Sequence, residues 1–109
     1  MKIHIYAQHF SHQDAYIVAD AEGLAALSAA CDQARKTTTA IGAFTEDGEG
    51  YAVFVTSLEE RDPKWEQLSF PYTDKEITGK GGDLSPFDLI GSDKYKELHA
   101  KMRGDTRGK

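Results

Sequence analysis

The chain opens on a clean alternation. In "MKIHIYAQHF" the residues Ile3, Ile5 and Ala7 fall on one side of an extended strand, and Lys2, His4, Tyr6 and Gln8 fall on the other. Period two of this kind marks a strand with one buried face. The polar run "HFSHQD" interrupts it, and "AYIVA" at 15–19 resumes β-branched and aromatic character, so a first hairpin is predicted with a loop longer than the tightest turn. The period then changes. Leu24, Leu27, Cys31 and Ala34 recur at three- and four-residue steps, which places them on one face of a helix and reads Cys31 as a core thiol. Asp20 is the predicted N-cap, Glu22 adds favourable charge to the first turn, and the β-branched "TTT" at 37–39 stops the helix.

Two more strands follow, "TTTAIGAF" and "YAVFVTSL", joined by "TEDGEG". The order ββαββ predicts an α+β fold: a four-stranded, mainly antiparallel sheet with one long helix packed across it. After Glu59 the pattern loosens. "DPKWEQL" suits a short helix with Asp62 as cap and Pro63 in the first position. "TGKGGDLSP" reads as a loop, and "SPFDLIG" as another helical turn. "SDKYKELHAKMRG" predicts a final helix capped by Ser92 and ended by Gly104, with Tyr95, Leu98 and Met102 on one face. One domain over residues 1–104 is therefore expected, with 105–109 as a fraying tail.

Charge refines this picture. The net charge is −5, but from Asp93 to Lys109 six Lys or Arg stand against three Asp or Glu. The other 92 residues then hold seven basic and fifteen acidic groups, a net −8. An acidic body disfavours nucleic acid, where affinity comes from neutralising phosphates, and suits a basic protein partner. No apolar run approaches a membrane span, no secretory signal opens the chain, and a single cysteine excludes an internal disulfide, so a cytoplasmic protein is expected.

Candidate chemistry is sparse. "TEDGEG" is not a calcium loop: with Gly48 as the obligatory sixth residue, the first and twelfth ligand positions are Ala43 and Phe54. Asp47-Gly48 is instead a hairpin signal. "GKGG" lacks the upstream glycine and downstream hydroxyl of a phosphate loop. His9, His12 and Asp14, with His4 as auxiliary, are the residues from which a metal-dependent or histidine-based nuclease or phosphodiesterase could be built. Without a nucleophile elbow, dinucleotide fingerprint or ligand-spaced cluster, the sequence points to no cofactor and no resident metal.

The favoured expectation is a small, acidic, non-enzymatic interaction protein of inhibitor or immunity type that occludes a basic effector. Its partner-binding residues are expected among Glu46, Asp47 and Glu49 at the turn, and the aromatics Trp65, Phe70 and Tyr72. A further alternative is a small-ligand-binding dimer with its pocket roofed by residues 79–82. A homodimer through an uncovered edge of the fourth strand is compatible with each reading.

Overall fold

The computed structural model describes residues 1–10, 12–71 and 82–107. Its elements follow the predicted order: β1 (Ile3–Tyr6), β2 (Tyr16–Ala19), α1 (Ala21–Ala34), β3 (Thr39–Phe44), β4 (Gly50–Val55), α2 (Lys64–Gln67), α3 (Pro86–Ile90) and α4 (Ser92–Arg107). The class is α+β, but the single four-stranded sheet is corrected. The strands form two separate antiparallel hairpins, β1–β2 and β3–β4.

The reason lies in where the hairpins meet. Lys2 and Phe44 form one parallel bridge, with Phe44 N–H donating to the Met1 carbonyl at 3.2 Å. Phe44 is the last residue of β3, and the chain turns immediately after it. β1 therefore runs on past the end of its neighbour, and the ladder stops at one pair.

α1 is built as its sequence suggests at the N-terminus and differently along its flank. Asp20 Oδ1 accepts from Gly23 N–H at 2.7 Å, and Asp20 Oδ2 accepts from Lys2 N–H at 3.0 Å. One carboxylate thus caps the helix and fastens it to the start of β1. The buried stripe is Gly23, Ala30 and Ala34, with Ala26 and Leu27 half-buried. Leu24 and Cys31, expected in the core, are exposed. They sit one residue step, about 100°, round the helix from Gly23 and Ala30. Small residues win the inner position because they let the helix backbone approach the strands: a Cβ on Gly23 would lie 2.7 Å from the Lys2 carbonyl oxygen.

The register gives β3–β4 two usable faces. Ala43 and Tyr51 share one, where the Tyr51 hydroxyl donates to the Ile3 carbonyl and joins the two hairpins. Phe54 stands on the other, stacked on Tyr95 of α4 with ring centroids 5.1 Å apart and in contact with His99. Phe87 of α3 closes this cluster edge-on to Tyr95 at 4.9 Å. Stacked and T-shaped pairs of this sort add to the apolar burial that holds α4 in place. Leu98 is buried, as its place in the predicted stripe requires.

The later helices match the sequence with shifted ends. Asp62 Oδ1 accepts from Lys64 N–H at 2.9 Å at the start of α2. Ser85 and Asp88 form a reciprocal capping box on α3. Ser92 is the first helical residue of α4, not its cap, and the helix continues beyond Gly104 to Arg107. Among the described residues the buried apolar set is Ile3, Ala30, Ala34, Ala43 and Leu98, a thin core in which only Ile3 is a large, fully enclosed side chain.

The acidic groups of this frame titrate with the fold. Hydrogen bonds from Gly23 and Lys2 hold Asp20 below the usual carboxylate range. The Lys2 ammonium does the same for Glu46, and the Thr45 hydroxyl for Asp47, while Glu46 pushes Lys2 upward. Depressed carboxylates contribute stability that is present above their unfolded values near pH 4 and lost as pH falls through the folded ones. The raised Lys2 works in the opposite sense: its contribution is present below the ordinary lysine value and disappears at high pH. The urea midpoint should therefore fall on acidification below about pH 5. Asp20→Asn retains a cap acceptor without the charge, so its deficit against wild type should be largest near neutrality and shrink in acid. A deficit independent of pH would show that the charge plays no part.

Candidate functional site

The region between β1 and the 45–49 turn is where the sequence-selected residues meet most closely. Gly48 N–H donates to the Thr45 carbonyl at 3.0 Å, and Thr45 N–H donates to the Glu49 carbonyl at 2.9 Å. Gly48 sits at φ 90°, the left-handed conformation that glycine takes at little cost. "TEDGEG" is thus a hairpin turn.

Its acids are not all free. Glu46 forms an ion pair with Lys2 at 2.6 Å, and its backbone N–H donates to His4 Nε2 at 3.0 Å. Asp47 accepts from the Thr45 hydroxyl. The Lys2 and His4 contacts hold the turn against the first strand, while its acidic side chains remain exposed. Glu49 lines an open cleft of about 360 Å³ together with His4, Ile5, Tyr6, Thr45 and Tyr51.

The bonding of His4 fixes what this cleft can do. A backbone N–H can only donate, so Nε2 carries no proton, and the neutral ring holds its proton on Nδ1. That nitrogen lies 2.6 Å from the Tyr6 hydroxyl and donates to it. Both ring nitrogens are engaged, so His4 positions the turn and Tyr6 instead of serving as a poised base.

The proposed nuclease residues are placed in the β1–β2 loop. The Gln13 side chain organises that loop, accepting from His9 N–H at 3.1 Å and Phe10 N–H at 3.0 Å. His12 adopts φ 69° within the turn closed by Gln13 N–H to the Phe10 carbonyl. The His9 ring packs edge-on against Phe10 at 4.6 Å. His9, His12 and Asp14 are all exposed, and among the described residues no three His, Cys, Asp or Glu side chains are grouped to hold a metal ion.

Of the aromatic candidates, Trp65 lies on α2 with its indole N–H on the Glu59 carbonyl at 2.8 Å, and Phe70 follows the Leu68–Leu84 bridge. Both are exposed, and neither lines the cleft. Tyr72 lies outside the described residues, as do positions 79–81 of the expected pocket roof.

The first hairpin forms where the sequence predicts it, but the half-buried face expected of it is missing. The pairs Ile3–Ala19 and Ile5–Ile17 share one face; His4–Val18 and Tyr6–Tyr16 share the other. Beyond Ile3 both faces are open to solvent, with Ile5, Tyr6, Tyr16, Ile17 and Val18 all exposed. The signal was available in "AYIVA", where five successive apolar residues replace the alternation of a strand with one wet face. The Tyr6–Tyr16–Val18 face starts at His4, so it is continuous with the cleft and bordered by the acidic turn.

Among the described residues no helix is long and apolar enough to cross a membrane. Compared with protein families, with curated proteins and with solved structures, the chain finds no match.

Proposed function

We propose that the protein is a non-enzymatic binding module that engages a basic protein partner, in the manner of an inhibitor or immunity protein covering a basic effector. The observation that carries this reading is the union of two features at one place. Tyr6, Tyr16 and Val18 form an exposed apolar face, and the cleft into which it leads is lined by Glu49, the last acid of the turn that also carries Glu46 and Asp47. Tyrosines beside a charged rim are the composition of an energetic interface centre, with the carboxylates steering a cationic partner into register. The net −8 of the first 92 residues extends the same field. Trp65 and Phe70 supply a further exposed aromatic surface that a large partner could reach.

The test is affinity capture from the source organism on the immobilised protein, at about 50 mM and about 500 mM salt. The expected result is a basic protein retained at low salt, released at high salt, and not retained by a Tyr16→Ala/Asp47→Ser/Glu49→Ser variant. This set leaves Glu46 in place because it holds Lys2. Absence of any retained protein, or equal retention by the variant, would count decisively against the proposal.

A further inference from the structure

The strongest unexplained feature is the free edge of β2. Tyr16, Ile17 and Val18 are 59%, 54% and 61% exposed, values unusual for consecutive residues of a strand. Among the described residues β2 pairs only with β1. Natural edge strands are normally protected by lysine, proline, a bulge or a covering element. The strand Tyr16–Ala19 carries no charge and no proline, and apolar groups face solvent on both of its sides. β4, the comparable edge of the other hairpin, has half-buried side chains from Tyr51 to Val55.

We propose that β2 is a self-association edge: two copies of the chain pair antiparallel along Tyr16–Ala19 to form a continuous four-stranded β1–β2–β2–β1 sheet. Antiparallel edge pairing is its own complement under a two-fold axis, so a single unprotected strand is sufficient to specify it. The axis stands perpendicular to the sheet, and opposed residues must share a face, so the central pair is either Ile17 with Ile17 or Val18 with Val18. Centring on Ile17 sets Asp14 against Asp20 of the second copy, two like charges in direct opposition. Centring on Val18 avoids that contact and fixes the register.

Area sets the strength. The exposed parts of Tyr16, Ile17 and Val18 amount to on the order of 350 Å² per copy, and edge pairing covers only the flanks of these side chains together with the strand backbone. Stable interfaces use about 800 Å² per partner, so the dimer is a weak, concentration-dependent one. The same two-fold axis keeps both Tyr6–Tyr16–Val18 faces on one side of the joined sheet.

Sedimentation velocity on the purified full chain, from about 10 µM to about 1 mM, reads the association directly. The expected result is a mass that rises from monomer towards dimer across this range. Ile17→Lys should weaken association at least about tenfold while preserving the far-ultraviolet circular dichroism and the urea midpoint. Val18→Lys, on the opposite face, should do the same and covers the case in which the first variant is unfolded. In a Cys31→Ser background, Val18→Cys should give a disulfide-linked dimer under mild oxidation and Ile17→Cys much less, because only the central pair brings its Cα atoms within bridging distance. A wild type that stays monomeric to 1 mM overturns the proposal, and that is also the result if the edge serves a lipid surface or an unrelated protein. Undiminished dimerisation in both folded lysine variants overturns it as well. The measurement needs no basic partner, so its outcome is independent of the binding function proposed above.

Discussion

Gly23→Ala should destabilise the protein, reversing the sign that helix propensity alone assigns to the substitution. In an open helix the change is favourable by about 1 kcal/mol, since alanine loses less backbone freedom on folding. Here the new Cβ would stand 2.7 Å from the Lys2 carbonyl oxygen, 2.9 Å from Ile3 Cγ1 and 3.0 Å from Asp20 Oδ1. The middle contact is with the fully buried Ile3 side chain, which is enclosed on all sides. The first is the backbone of Lys2, just ahead of β1, and the third is the carboxylate that caps α1 and holds Lys2 N–H. Relief therefore requires the helix to lift from the first hairpin, and overpacking of this type costs about 1–3 kcal/mol. Loss of the cap adds to it, so the balance falls on the unfavourable side by about 2 kcal/mol. Urea unfolding followed by circular dichroism should show a lower midpoint with an unchanged slope. A midpoint equal to or above wild type would mean that α1 can shift freely on β1.

The local elements of this fold were legible because their signals are local. Alternation gave β1, the change to a three-to-four period gave α1, and Asp47-Gly48 gave the turn between β3 and β4. Asp20 was identifiable as a cap because a carboxylate preceding a helical pattern has few other uses. The phase of α1 was harder. Hydrophobicity favours Leu24 and Cys31 as inward residues, but the short stripe of Gly23, Ala30 and Ala34 allows an approach that larger side chains would prevent. Which face is buried depends on that distance, and distance is a tertiary quantity.

The relation between the two hairpins was not legible at all. It rests on one bridge, the Tyr51 hydroxyl on the Ile3 carbonyl, and the Glu46–His4 and Lys2–Glu46 contacts, each spanning more than forty residues. No periodicity encodes such a meeting. The candidate site follows the same division. Glu46, Asp47 and Glu49 were visible as a charged turn, whereas their junction with Tyr6 and His4 exists only because β1 overshoots the end of β3. That overshoot also leaves the rest of the first hairpin without a covering layer, so the open cleft and the unprotected β2 edge share one cause.

Ile3→Ala should be the most damaging truncation in the described core, and combining it with Gly23→Ala should give less than the sum of the two. Ile3 is 0% exposed, and the other members of the buried set are three alanines and Leu98. Removing a fully buried isoleucine costs about 2–5 kcal/mol, a large share of the 5–15 kcal/mol that holds a typical domain folded. A fall in melting temperature of ten degrees or more is expected, at about 4–8 °C per kcal/mol for a small domain. The double variant separates packing from backbone collision. Alanine at position 3 has no Cγ1, so one of the three close contacts made by a Cβ at position 23 disappears, and that Cβ fills part of the space Ile3 vacated. The coupling should thus be favourable by a measurable fraction of a kcal/mol, because residues in direct contact depart from additivity. The collision with the Lys2 carbonyl remains, so the double variant should still be less stable than wild type. Strict additivity would place the whole cost of Gly23→Ala in the backbone contact and make the first residue pair of β1 a rigid stop for α1.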